Sequence, residues 1–223
     1  MSMGNTALVV FIRFPHLGKV KLRLAQTLGP EIATGFYQLC AQQITHELGR
    51  LSGEVKKYLS YSDKSDKDEI KDWVGSQFSL IPQAEGDLGQ RLEQSFRSLL
   101  TGDFRKAIIM ASDVPDLSKE IMNDAVNALD NHDLAIGHCH DGGYYLIGMK
   151  EPHGELFAGI SWSTEKVFEQ TLTIADKLGL SVFSLPTLRD IDTRDDLKEW
   201  VRTSAGNSNP ILEYAKSALL VHK

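Results

Sequence analysis

Short apolar runs of strand length, alternating with longer amphipathic stretches, predict an α/β protein whose inner strands lie in a parallel sheet covered on both faces. Residues 7–12 and 107–111 are apolar throughout, as strands buried on both sides are. The stretches that follow carry apolar residues at helical spacing. Asp113 falls just past the end of the second run, at the carboxyl edge where open α/β sheets hold their ligands.

At 223 residues the chain can form one large core, and a single domain is expected, with a core over about 7–202 and a helical tail at 203–223. A hydrophobic content of 42% with 24% charged residues excludes a disordered chain, and no apolar run reaches the length of a membrane span. The first residues have neither the basic region nor the apolar stretch of a signal peptide, so the cytosol is the expected compartment. Cys40 and Cys139 are far apart in no paired motif, which argues against a disulfide framework.

Net charge is −6, which disfavours nucleic acid as a partner, but the charge is uneven. Residues 1–30 carry Arg13, Lys19, Lys21 and Arg23 and no acidic residue, leaving 20 basic against 30 acidic residues in the rest. A cationic segment on an acidic body suits a small anionic ligand.

Along the chain, residues 7–12 form a central strand whose exit holds Pro15 and Gly18, a loop, and then the basic positions. Whether extended or helical beyond the loop, Lys19, Lys21 and Arg23 can converge on one anion, with backbone N–H groups near Gly18 cradling phosphate. Pro30 opens a helix with a stripe of Ile32, Phe36, Leu39, Cys40, Ile44, Leu48 and Leu51, which is core packing. A strand follows at 55–61, then a polar loop or short helix at 62–72 and a short strand at 78–81.

Gly86 and Gly89 flank Asp87, which either contacts a base or ribose or caps the helix behind it; Arg91 lies in that helix's first turn. Pro115 keeps Val114 extended before Ser118 caps the next helix. Strands follow at 134–137 and 144–149, with His138, Cys139 and His140 between them. Their donor atoms suit zinc, but adjacent residues cannot all face one ion from a regular strand, which argues against a zinc site.

Asp141 with Gly142 and Gly143 offers a carboxylate beside backbone that a substrate can approach. Ser163 or Thr164 is expected to cap a helix carrying Val167 and Phe168, and Trp162 either stacks on a ligand or, as aromatics more often do, packs in the protein. A late strand at 182–185 ends before Pro186 and leads to Asp190 and Asp192. Two residues apart on extended chain, these point the same way and can share a hard cation with Asp113. Thr193 to Asp196 is a capping-box pattern, and the tail holds a Gly/Ser/Asn break and a weak last helix.

Six segments taken in order resemble a bacterial family of nucleotide-diphospho-sugar transferase-like and glycosyltransferase-like proteins. They are Arg13-x-Pro-x-x-Gly-x-Val-Lys-x-Arg-Leu, Gly86-Asp-Leu-Gly-x-Arg91, Ser112-Asp-Val-Pro-x-Leu117, Asp141-Gly-Gly-Tyr-Tyr-Leu-Ile-Gly148, Trp162-Ser-Thr164 and Asp190-Ile-Asp-Thr193. The resemblance implies the glycosyltransferase-A type of fold: a Rossmann-like three-layer α/β/α arrangement on a mostly parallel mixed sheet. The segment from Val20 to Ala25 is also similar to the phosphate-binding loop of phospholactate guanylyltransferases. The chain departs from the family pattern with Arg13 for Lys, Leu22 for Thr, and His138-Cys139 for Pro-Ala.

Three functions follow as expectations. The first is glycosyl transfer from a nucleoside diphosphate sugar to a small acceptor, dependent on Mg²⁺ or Mn²⁺. Asp113, Asp190 and Asp192 hold the metal, while Arg13, Gly18, Lys19, Lys21, Arg23 and Arg91 hold the phosphates. Lys21 also stabilises the leaving group, Asp87 contacts base or ribose, Asp141 positions or deprotonates the acceptor, and Gly142, Gly143 and Trp162 line its site. The second is transfer of a nucleotidyl group from an NTP to a phosphorylated small molecule, with pyrophosphate released. The third is nucleotide binding without catalysis.

Overall fold

The computed structural model describes residues 6–63, 67–204 and 209–221. Seven strands form one sheet: β1 (Thr6–Ile12), β2 (Val55–Tyr61), β3 (Ser79–Pro82), β4 (Lys106–Ala111), β5 (Leu134–Cys139), β6 (Tyr144–Met149) and β7 (Val182–Leu188). Their order is β3-β2-β1-β4-β6-β5-β7, and every pairing is parallel except the two made by β6.

The two-residue period of β1 sorts its side chains between two cores. Leu8, Val10 and Ile12 face Ile44 and Leu48 of α2 (Pro30–Arg50) and Met122 and Ala125 of α5 (Lys119–Ala128). Ala7 and Val9 face Leu92 and Phe96 of α4 (Leu88–Leu100) and Ala175 of α6 (Val167–Lys177). The sheet is thus covered on both faces, as its unbroken apolar strands require.

A third cluster lies outside α2, where α1 (Leu22–Leu28), α7 (Arg194–Thr203) and α8 (Pro210–Val221) bury Leu24, Phe36, Leu197, Trp200 and Leu212. The last helix is therefore firmly seated rather than weak. Gly35 lets the Tyr214 ring come against α2, and the Tyr214 hydroxyl donates to the Ile32 carbonyl at 3.3 Å. The Gly/Ser/Asn break at 206–208 lies outside the described residues.

Local signals hold at most helix starts. Ser118 accepts from the Ile121 N–H, and Thr193 and Asp196 close a capping box. The polar stretch after β2 contains a helix, α3 (Lys67–Val74). Two expectations fail. Pro186 lies inside β7, which tolerates it as an edge strand, and the Tyr145 hydroxyl donates to its carbonyl at 2.8 Å. Neither Ser163 nor Thr164 caps α6, which begins at Val167; instead the Phe168 N–H donates to the Gly142 carbonyl at 2.9 Å.

One polar anchor had no sequence signal. Glu47 is buried on α2, accepts from Arg50 at 3.0 Å and from the Lys119 N–H at 3.2 Å, and so ties α2 to the first turn of α5. Among the described residues, no helix is long and apolar enough to cross a membrane.

Candidate active site

β2 and β3 continue from one side of β1 and β4 lies on the other, so the carboxyl ends of β1 and β4 frame the point where the strand order reverses. A cavity of about 650 Å³ opens there. Its wall includes Arg13 beyond β1, Lys19, Lys21 and Arg23 from the following loop and α1, Arg91 on α4, Asp113 beyond β4, and Asp192 before α7. Seven of the residues singled out in the sequence therefore share one cavity.

Tyr37 fixes the two strand exits. Its hydroxyl accepts from the Arg13 N–H at 2.9 Å, donates to the Arg13 carbonyl at 3.1 Å, and lies 3.0 Å from Ser112 Oγ. No sequence signal marked Tyr37 for this role.

The centre of the site is Lys21. Its ammonium lies 2.9 Å from Asp113 Oδ2 and 2.8 Å from Asp192 Oδ1, and its side chain is 3% exposed. Burial alone would lower its pKa, but Asp113 and Asp192 outweigh that and raise it above the ordinary value, so it stays charged. The backbone at Lys21 is left-handed, with φ 47° and ψ 51°. Ser163, at φ 63°, is the other non-glycine residue with positive φ among the described residues, and it lines the same cavity. Backbone held in a sparsely populated region concentrates at functional sites.

Lys21 does not join the exposed cationic wall that the alternate basic spacing suggested, because the two carboxylates draw it inward. Arg23 keeps 69% of its side chain exposed, with Nη1 3.6 Å from Asp192 Oδ2.

The expected metal trio is divided. Asp113 and Asp192 meet at Lys21, whereas Asp190 stands with Asp141 and Cys139, whose donor atoms lie within 4.8 Å of one another. The Asp190 carboxyl is pushed up to about 7, by burial first and then by Asp141, with Lys21 pulling the other way. Burial raises the Cys139 pKa, so its thiol stays protonated and is a poor cation ligand. The carboxylates do fit a hard divalent cation: Asp113 and Asp192 already converge on one positive charge, and both are about one-third exposed, at 33% and 38%.

The raised Asp190 gives a pH signature. Its native carboxyl holds a proton to about pH 7, whereas an unfolded Asp loses it near pH ~3.9. The native state binds more protons between those values, so stability falls as pH rises through that window. Asp190→Asn removes the effect. Because the group is partly exposed, the variant is expected to gain only about 1–2 kcal/mol above pH ~7.5 and almost nothing below pH ~4. Melting curves at both ends of the range check this, and an equal gain at both would rule it out.

Five other expected site residues lie elsewhere. Gly18 does not line the cavity; its N–H points to Thr34 Oγ1 at 3.4 Å. Asp87 caps α4 in a reciprocal box with Gln90, at 2.9 and 3.0 Å. Asp141 accepts from the Gly143 N–H at 2.8 Å and closes a turn off the cavity wall. Gly142 packs against the Glu165 backbone, and Trp162 packs on Gly89 and edge-on to Tyr144 with centroids 6.3 Å apart. None of these five residues lies on the cavity wall.

The sequence reading missed Gln83 and Tyr144, which do line it. Gln83 donates to the Ser60 carbonyl at 2.8 Å and accepts from Arg91 at 3.4 Å. The Tyr144 hydroxyl is buried and has no hydrogen-bond partner among the described residues, and burial raises its pKa. It therefore stays neutral.

A family model described as "Uncharacterized protein conserved in bacteria (DUF2064)" matches residues 49–164, just over half of the chain. The chain belongs to this family. The DUF2064 match covers Arg91, Asp113 and Asp141 but not the Lys21 loop or Asp192.

Over 207 residues the chain is 26% identical to 2-phospho-L-lactate guanylyltransferase from Methanothermobacter thermautotrophicus, covering 92% of this chain and 87% of that protein. A crystal structure described as a "putative nucleotide-diphospho-sugar transferase" from Desulfovibrio desulfuricans G20 superposes with a TM-score of 0.91 at 29% identity. That match covers 98% of this chain and 97% of the other. The 4-diphosphocytidyl-2C-methyl-D-erythritol synthase of Anaerococcus prevotii shares the fold, with a TM-score of 0.57 at 11% identity over 96% of each chain. The DUF2064 chain is thus similar in sequence and fold to transferases.

Proposed function

We propose that this protein transfers a nucleotidyl group from a nucleoside triphosphate to a small phosphorylated acceptor. One observation carries the reading: Arg13, Lys19, Arg23 and Arg91 line one cavity with the Asp113–Lys21–Asp192 cluster, at the carboxyl ends of β1 and β4, while Asp141 lies off its wall. A hydroxyl acceptor needs a group to take its proton, and the two carboxylates that line the cavity are both paired with Lys21. A phosphate acceptor is already an anion and needs none.

In the proposed reaction a phosphate oxygen of the acceptor attacks the α-phosphorus of the triphosphate. The new P–O bond forms as the bond to the β-phosphate bridging oxygen breaks, and pyrophosphate leaves with that electron pair. Arg13, Lys19 and Arg23 hold the phosphate oxygens and offset the charge that builds on the leaving group. Asp113 and Asp192 would hold Mg²⁺ or Mn²⁺, which supplies further neutralisation of phosphate charge when bound. The likeness to a guanylyltransferase makes GTP the first nucleotide to test and a phosphorylated hydroxy acid the first acceptor.

The second reading is glycosyl transfer from a nucleoside diphosphate sugar, favoured by the naming of the Desulfovibrio structure. Products separate the two. The protein is incubated with each NTP, a phosphorylated hydroxy acid and Mg²⁺ or Mn²⁺, and in parallel with nucleotide sugars. Pyrophosphate with a new nucleoside diphosphate-linked product is the expected result. Free nucleoside diphosphate from a nucleotide sugar, with no pyrophosphate from any NTP, would favour the second reading and end the first.

A further inference from the structure

We propose that Lys21 is an exchangeable counter-ion: in the free protein its ammonium sits where a hard divalent cation sits in the loaded one, and the cation's arrival sends Lys21 out toward the bound anion. This rests on the reading of the cavity as a metal-assisted phosphate site, and it concerns what Lys21 does before and after loading.

The geometry supplies the seat. Asp113 and Asp192 reach it from separate parts of the chain, and both approach the ammonium at ordinary charge-assisted distances of 2.9 and 2.8 Å. The seat is closed behind and open in front: the Lys21 side chain is 3% exposed, whereas the carboxylates are 33% and 38% exposed and line the cavity. A cation entering from the cavity meets the two carboxylates there, with the exposed Arg23 guanidinium 3.6 Å from Asp192 Oδ2.

Charge favours the exchange. One buried ammonium faces two carboxylates, with the exposed Arg23 guanidinium 3.6 Å from Asp192 as the other cation at the cluster. A divalent ion balances that cluster better, and its remaining positions accept water or phosphate oxygens.

The backbone provides a way out. Lys21 stands at the N-terminal boundary of α1 in a left-handed conformation, φ 47°, that a non-glycine residue adopts only when its surroundings hold it there. The Lys21 carbonyl accepts the Ala25 N–H at 2.9 Å, while the ion pairs hold the ammonium, and a cation that takes the carboxylates removes those pairs. Lys19 and Arg23, on either side of it in sequence, already line the cavity, so the released ammonium joins their cationic wall. An anion there gives Lys21 a new partner, so cation and anion should each strengthen the binding of the other.

The test uses the wild-type protein and lysine acetylation read by peptide mass spectrometry, with Mn²⁺ binding followed in parallel by the paramagnetic signal of the free ion. Lys21 is expected to resist acetylation without metal and to react about tenfold faster or more once Mn²⁺ saturates the protein, while Lys19 serves as the unchanging reference. Lys21→Met, which has no ammonium to evict, is expected to bind Mn²⁺ about tenfold more tightly than wild type. Should that variant not fold, the wild-type labelling still decides the matter.

Mn²⁺ bound with Lys21 still protected, equal or weaker Mn²⁺ binding by a folded Lys21→Met, or no Mn²⁺ binding by the wild type would each overturn the exchange. The two proposals fail separately. Pyrophosphate-releasing turnover with Lys21 protected throughout ends only the exchange. Metal-dependent labelling without turnover on any NTP ends only the nucleotidyl-transfer reading.

Discussion

Asp113→Asn is expected to lower pyrophosphate-releasing turnover about 100- to 1,000-fold, equivalent to roughly 2.7–4 kcal/mol of transition-state stabilisation. Asn has nearly the same shape, so the exit of β4 and the Tyr37–Ser112 contact beside it should persist. What goes is one of the two negative charges on the cation seat, and with it the capacity to hold a divalent ion against the phosphates. Lys21 keeps Asp192 at 2.8 Å, so the stability loss should stay near 1–2 kcal/mol rather than the larger cost of a wholly unpaired buried charge.

Asp87→Asn is the matched control. Asn is as good an N-cap as Asp, and residue 87 lies off the cavity wall, so turnover should change by less than about threefold. Steady-state kinetics and melting curves of both variants check this. Equal turnover in wild type and Asp113→Asn would reduce Asp113 to an anchor for Lys21.

That contrast marks what the sequence could and could not convey. The strands were legible because those buried on both faces are apolar runs, and β1 and β4 in particular leave their charged exits, Arg13 and Asp113, at the sheet's carboxyl edge. Partner choice was not legible. Lys21 and Asp192 are 171 residues apart, and alternate spacing in residues 19–23 says nothing of which basic side chain turns inward. The same limit applies to Asp190, which follows Asp141 rather than Asp192 because a bulge in the β5–β7 pairing and the turn after β5 bring those two together. Glycines were ambiguous for a related reason: the absence of a side chain admits a ligand or the protein's own backbone, and the local sequence is identical in both cases.

Gly142 decides that ambiguity, and its replacement should have the largest effect on stability. At φ 90° an alanine is strained, and its Cβ would meet the carbonyl oxygen and Cα of Glu165. Those are backbone atoms, which cannot rotate aside. The Gly142 carbonyl also accepts the Phe168 N–H at 2.9 Å, and α6 has no side-chain cap, so moving the turn leaves an N-terminal donor of that helix without its partner.

Strain, overpacking and the lost cap together suggest that Gly142→Ala costs about 3 kcal/mol or more, roughly 6–12 °C in Tm for a chain of this size. Gly143 has no positive φ, and an added Cβ there would come only to 3.1 Å from the Asp141 carboxylate, which can shift. Gly143→Ala should therefore cost less than about 1 kcal/mol. Thermal melts of the two variants side by side measure the difference. If they fall together by a small amount, the tight packing of Gly142 on Glu165 is not what holds this turn. If Gly142→Ala melts far lower, the first glycine of the Asp-Gly-Gly segment is there to seat α6.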